Sequence, residues 1–258
     1  MHNHTDLTQD RIGYLKERLE RELTWQICPL EVTAWPVPGE PVGFAQATAA
    51  DYQPFPPGTW WGAPWSTWWL HVTGTLPAGH ADKEVDLSID LGFVGDWAGN
   101  QSEAMVYTPA GRPLKALNPR NHRIALNHGV LAKRFAEEGE PLIAADGRVE
   151  VWVEAAGNPN MTLHLGGPTE LGDRRTAGNE PLWQFKGAEL SVRRNEVWGL
   201  WLDVDILDGL MHQLPADSTH RARLLHGLER AADEVDHHGI IAGAAQARRI
   251  LAEYLNSG

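Results

Sequence analysis

The sequence predicts a mainly β chain with added helices: a two-sheet antiparallel β-sandwich, jelly-roll-like, with an N-terminal helix and a C-terminal three-helix segment. Three observations carry this. Short apolar-rich runs at 68–76, 84–92, 103–108, 112–116, 122–125, 149–156 and 188–193 are separated by turn signals, among them Pro77-Ala78-Gly79, Pro109-Ala110-Gly111 and Asp146-Gly147. Val85, Leu87 and Ile89 alternate with Asp86, Ser88 and Asp90, and Val149, Val151 and Val153 alternate with Glu150, Trp152 and Glu154. That period of two marks a strand with one buried face. At both ends the period changes to three or four, the spacing of an amphipathic helix. The division that follows is 1–24 as an N-terminal helix, 25–194 as the β-sandwich domain and 195–258 as a helical linker segment.

In order, the helix over 7–24 rests on Ile12, Leu15, Leu19 and Leu23, with Thr5 or Asp6 as its cap. Residues 25–60 hold Pro29, Pro36, Pro38, Pro41, Pro54, Pro56 and Pro57, which forbid a long helix. One short strand at 32–35 and an extended crossing segment are expected there. The chain then reaches Trp60-Trp61-Gly62-Ala63-Pro64-Trp65-Ser66-Thr67-Trp68-Trp69, a dense share of its 12 tryptophans. Gly62 and Pro64 turn this run. Buried aromatics remove roughly 150–250 Å² each from water, so the first reading is an aromatic core plug, with Trp65 inside it. The second is a sugar-stacking platform, because aromatic faces suit the C–H faces of pyranose rings; Trp61, Trp65 and Trp97 are its carbohydrate-binding candidates. A contact to another domain is the third. Two or more exposed, coplanar tryptophans would separate the platform from the plug.

At the C-terminal end, Trp198, Trp201, Val204, Leu207 and Leu210 or Met211 form one helical face, stopped by Pro215. Asp217 or Ser218 caps a second helix with Leu224, Leu225, Leu228 and Ala232 inward, and Gly239 breaks it. A third runs over 240–255, where Ile240, Ile241, Ala244, Ile250, Leu251 and Leu255 form a face expected to be only partly covered.

Charge narrows the partners. With 22 basic and 34 acidic residues the formal net charge is -12, which argues against nucleic acid and anionic membranes. The lone Cys28 cannot form an internal disulfide. The start, Met1-His2-Asn3-His4-Thr5-Asp6, has no basic region followed by an apolar run. No apolar run reaches the length of a membrane span, about 18 residues. A cytoplasmic location is the expectation.

Catalytic constellations are absent from the pattern. His80-Ala81-Asp82 sits in a turn, His237-His238 point two ways at a helix end, and His2 and His4 lie in an unpatterned start. None offers the three or four convergent ligands zinc needs. Asp86, Asp90, Asp96 and Glu103 could line one sheet edge as a carboxylate pair. Solvation of a polar strand face by itself explains Asp86 and Asp90. Gly166-Gly167-Pro168 and Gly172-Asp173 read as an irregular loop, not a phosphate cradle. No catalytic residue and no metal ligand are therefore assigned in this chain.

Several segments, taken together, resemble the N-terminal region of family 38 α-mannosidases of the cytosolic and vacuolar type. Gly62-Ala63-Pro64-Trp65-Ser66-Thr67-Trp68-Trp69 is similar to the family's "G-P-x-W-S-T-x-W-F". Glu103-Ala104-Met105-Val106-Tyr107 stands at its "G-x-V-W" step, and Gly111-Arg112-Pro113-Leu114-Lys115-Ala116-Leu117 at its "G-x-P-x-x-G-L". Val151-Trp152-Val153-Glu154-Ala155-Ala156-Gly157-Asn158 resembles "Y-V-E-x-A-x-N", and Phe185-Lys186-Gly187-Ala188-Glu189-Leu190 resembles "F-x-x-A-E-L". The resemblance implies a parent enzyme that removes terminal α-linked mannose from oligosaccharides with retention, using zinc and an Asp nucleophile. The family's zinc-binding "A-H-I-D-x-A-W" block does not occur here. What is implied is a supporting, non-catalytic domain with no cofactor of its own, zinc being expected in the parent's catalytic domain. Its partners would be that catalytic domain in the same polypeptide, a second copy in a homo-oligomer, and an oligosaccharide. The alternatives are a stand-alone carbohydrate-binding module, and an interaction scaffold with exposed apolar helix faces.

Overall fold

The computed structural model describes residues 5–95, 99, 101–159 and 178–255. Among these the elements are α1 (Thr5–Arg21), β1 (Thr24–Pro29), β2 (Glu31–Pro36), α2 (Phe44–Ala47), β3 (Gln53–Pro54), β4 (Trp60–Trp61), β5 (Ser66–Thr75), β6 (Val85–Asp90), β7 (Glu103–Tyr107), β8 (Pro113–Leu117) and β9 (Arg123–Ala125). They continue with α3 (Gly129–Glu137), β10 (Arg148–Gly157), β11 (Trp183–Gln184), β12 (Gly187–Arg193), α4 (Asn195–Gln213), α5 (Thr219–His238) and α6 (Ile240–Leu255). The chain forms two compact units. Gln26–Val192 is one; the described residues up to Trp25, with those from Arg193 onward, are the other. The N-terminal helix, a segment of its own in the sequence reading, thus shares a unit with the C-terminal helices.

In the first unit a six-stranded sheet, β3-β2-β5-β10-β7-β8, faces a four-stranded sheet, β1-β12-β6-β9, and β4 pairs with β11. The pairs with a stated register are antiparallel, with Val153 opposite both Leu70 and Val106, and Leu87 opposite both Leu190 and Ile124. The alternation read in β6 and β10 sets the layers. Val85, Leu87, Ile89, Val149, Val151 and Val153 are buried and meet in one core with Leu70, Val72 and Leu190. The outer face of the six-stranded sheet is aromatic. His71 stacks on Trp152 at 3.9 Å between ring centres, Trp69 stacks on Tyr107 at 5.4 Å, and Phe44 meets Trp69 edge-on at 5.9 Å. The proline-rich crossing segment carries Phe44 there on a single helical turn, α2, where only extended chain was expected. Partial burial, with a hydrogen bond donated to Glu154, pushes the Tyr107 hydroxyl up to about 12, so it stays a neutral donor.

The helical unit is built as its periodicity requires. Ile12, Leu15 and Leu19 of α1 join Val197, Leu200, Val204 and Leu207 of α4, with Leu224, Leu228, Ala244 and Leu251 from α5 and α6. Ser218 caps α5, its hydroxyl accepting from the Arg221 amide. On α6, Ala244, Ile250 and Leu251 are buried while Ile241 and Leu255 are exposed. Among the described residues no helix is long and apolar enough to cross a membrane.

Charge ties α1 to α5. Asp236 accepts from Arg11 and from Arg18, both at 2.6 Å. Partial burial pushes the Asp236 carboxyl up, but the hydrogen bonds from Arg18 and Arg11 outweigh it and hold the group below its ordinary range. A depressed carboxylate stabilises only while ionised. Asp236→Asn is expected to cost about 0.5–1 kcal/mol at neutral pH, since all three groups are more than a third exposed and screened. The difference from wild type should be full above the ordinary carboxylate range, shrink as pH falls below it, and vanish only below the group's depressed folded range. Urea melts at neutral pH and at about pH 3 check this.

Candidate functional site

The outer face of the four-stranded sheet is polar because every second residue of β6 is polar: Asp86, Ser88 and Asp90. Register places these in cross-strand rows. Ser88 lies opposite Glu189 on β12 and opposite Arg123 on β9, so Glu189, Ser88 and Arg123 form one row. Asp90 lies opposite Gly187, and Asp86 opposite Ser191 and Ala125.

Asp86 departs from expectation. It is fully buried, and His128, just before α3, meets its Oδ1 at 2.7 Å. Solvation does not explain this carboxylate; a histidine covers it, and the pair ties α3 to β6. Asp90 also has work inside the fold. Its Oδ1 accepts from the Gly92 and Phe93 amides at 2.9 and 3.1 Å, and Lys186 Nζ stands 3.6 Å from Oδ2.

Above the Glu189–Ser88–Arg123 row lies a groove of about 370 Å³, lined also by Gln26, Pro29, Pro57, Asp90, His122 and Lys186. That is within the size range of small-molecule clefts. Partial burial pushes the Glu189 carboxyl above its ordinary range, against the opposing pull of Arg123. His122 is oriented by a 2.9 Å hydrogen bond between its Nδ1 and the Pro119 carbonyl. Lys186 Nζ donates to the Phe93 carbonyl at 2.9 Å. The sequence reading missed Glu189, Arg123, His122 and Lys186. Only the alternation of β6 pointed toward this face.

The tryptophan run divides between plug and surface. Trp61 cannot stack on a sugar: it is fully buried in the sandwich core and its Nε1 donates to the Leu91 carbonyl at 2.8 Å. Trp69 is likewise buried. Trp65, expected inside the plug, is 44% exposed, and Trp60 is exposed too. Trp65 occupies an uncommon backbone. The Ser66 amide closes on the Ala63 carbonyl at 3.0 Å, with Pro64 and Trp65 at the corners and Trp65 at φ 63°. This is the hydrogen-bonding and dihedral pattern of a type II turn, whose third position favours glycine. Among the described residues Trp65 alone combines positive φ with a side chain. Trp97, and the glycine loop at Gly166 and Gly172, lie outside the described residues.

No group of three or more His, Cys, Asp or Glu side chains converges as a metal site among the described residues. His80 Nδ1 lies 3.2 Å from the Pro77 carbonyl, and the Asp82 side chain is largely exposed beside Lys83. The donor set of a catalytic zinc, three protein ligands around an open position, is not assembled by these residues.

A six-stranded sheet facing a four-stranded one, antiparallel wherever the register is stated, defines the class: a jelly-roll protein. Residues 28–191 match the family model described as the α-mannosidase jelly-roll domain, and the chain belongs to that family. No curated protein matches it in sequence. Among solved structures it is similar, at 9% identity and a TM-score of 0.18, to the structure of CBM51-2 in complex with GlcNAc and INT domains from Clostridium perfringens ZmpB. That alignment takes in 74% of this chain and 36% of the other, so this chain spans about a third of the other's length. So low a TM-score does not relate the two folds.

Proposed function

We propose that the chain is the supporting, non-catalytic domain of an α-mannosidase that releases terminal α-linked mannose from oligosaccharides. Zinc and the nucleophile would stand in a catalytic domain of the same polypeptide, in the cytoplasm. The observation that carries this is the family match over 28–191, which falls on the sandwich itself. The side chains support the non-catalytic part, since Asp86 is engaged by His128 and Asp90 by the backbone of its own turn. On α4, Leu202, Ile206 and Leu210 recur every fourth residue and are exposed, a face open to a catalytic domain or a second copy.

The purified chain, given zinc or cobalt and an aryl α-mannoside, is expected to show no turnover. Turnover that survives repurification and disappears on chelation would place the active site here and overturn the reading. The coding sequence downstream of Gly258 is a second check, expected to read "A-H-I-D-x-A-W".

One observation favours a second reading, a carbohydrate-binding module. Trp65 holds a bulky ring at a glycine-like turn position and leaves it 44% exposed, and strain of about 1–3 kcal/mol kept for only partial burial points to a function.

A further inference from the structure

We propose that the groove over Glu189, Ser88 and Arg123 is a binding subsite for one neutral sugar residue. Geometry makes the first part of the case. Glu189 and Arg123 stand on the strands either side of Ser88. Two strand spacings separate them, about 9–10 Å. The row is therefore tall at both ends and low in the middle, where a hydroxyl rises from the sheet. That spacing is on the scale of one pyranose ring. Asp90 lines the same space beside Gly187, its Oδ1 held by the Gly92 and Phe93 amides.

Charge selects the class of ligand. Among the described residues, Asp90 and Glu189 line the groove with Arg123 and Lys186, beside His122. Both signs are present side by side, which suits a ligand with no net charge. A carboxylate accepts from hydroxyls, a guanidinium donates to hydroxyl and ring oxygens, and the Ser88 hydroxyl does either. Acceptors and donors facing each other across a narrow floor match a polyol, whose hydroxyls are both. Pro29 and Pro57 supply an apolar wall for the C–H face of the ring. Partial burial of Glu189 keeps water from screening these contacts fully. The inference rests on the groove's own chemistry. Its failure would leave the family and the supporting role untouched.

The test uses the full 258-residue chain, titrated with methyl α-mannopyranoside, an α-linked mannobiose and, separately, inorganic phosphate, followed by amide resonances. Saturable shifts at Ser88, Arg123 and Glu189 with the sugars, and none with phosphate, are expected. Glu189→Gln and Arg123→Gln should each weaken sugar binding about tenfold or more, because each removes a hydrogen bond to a charged group. Tyr14→Ala, on the exposed side of α1, should leave it unchanged. Should Arg123→Gln lower the melting temperature, the near-isosteric Glu189→Gln decides. Shifts confined to the Trp65 turn, preference for phosphate, absence of saturation, or unchanged affinity in Glu189→Gln would each overturn the proposal.

Discussion

Trp61→Ala is expected to destabilise the sandwich by about 3–5 kcal/mol, while Trp65→Ala, four residues on, costs about 1 kcal/mol or less. Trp61 has no exposed surface and packs within the main core, its ring 6.2 Å from that of Trp68. Truncation removes the transfer free energy of the ring and leaves a cavity that close-packed neighbours fill only in part. It also removes the Nε1 donor of the buried Leu91 carbonyl, which then bears a desolvation cost with no partner. Trp65 loses little on truncation because nearly half of it already meets water. Trp65→Gly should be neutral or stabilising, since glycine reaches φ 63° without strain, worth about 1 kcal/mol. Denaturant unfolding of the three variants, followed by far-UV circular dichroism, gives the comparison. Equal losses for Trp61→Ala and Trp65→Ala would contradict the assignment of plug and surface.

The contrast between these tryptophans shows where the sequence stops informing. Local alternation is written in the chain, so β6 and β10 could be read with their inner faces. The period of four was equally plain in α1 and α5. Trp61 and Trp65 belong to a turn, where side-chain direction follows from backbone dihedrals that no periodicity encodes. The short strands β4 and β11 escaped for a related reason: a two-residue pair has no pattern, and it exists because Trp61 meets Trp183. α3 spans Gly129–Glu137, too few turns for a clear face, and its first apolar residue, Val130, is exposed. The groove was least legible. Glu189, Ser88 and Arg123 come from three strands far apart in the chain, and only register makes them a row. Asp86 was misread because alternation tells which face a residue takes, not whether something covers that face. His128 covers it from a distant segment.

Gly92→Ala is expected to cost about 2–5 kcal/mol and to disturb the groove as well as the core. Two effects add. Gly92 sits at φ 100°, where a Cβ is strained by about 1–2 kcal/mol whatever surrounds it. A Cβ there would also lie 2.5 Å from the Gln184 carbonyl oxygen and 2.8 Å from its nitrogen. These are backbone atoms of β11, and a rotamer change cannot clear them. Relief requires β11 to move from the Leu91–Gly92 turn, and that turn is held in place. Leu91 accepts from Trp61, the Lys186 amide donates to the Asp90 carbonyl at 3.0 Å, and the Gly92 amide donates to Asp90 Oδ1. Moving either segment loosens Trp61 on the core side and swings the Asp90 carboxylate on the groove side. Gly79→Ala provides the control. Gly79 has a similar φ of 87°, but a Cβ there meets nothing within 4 Å, so it carries the strain without the clash. The difference in unfolding free energy between the two variants isolates the contact with Gln184. If Gly92→Ala were no worse than Gly79→Ala, β11 would be free to yield, and the tight seating of the Leu91–Gly92 turn against it would be wrong.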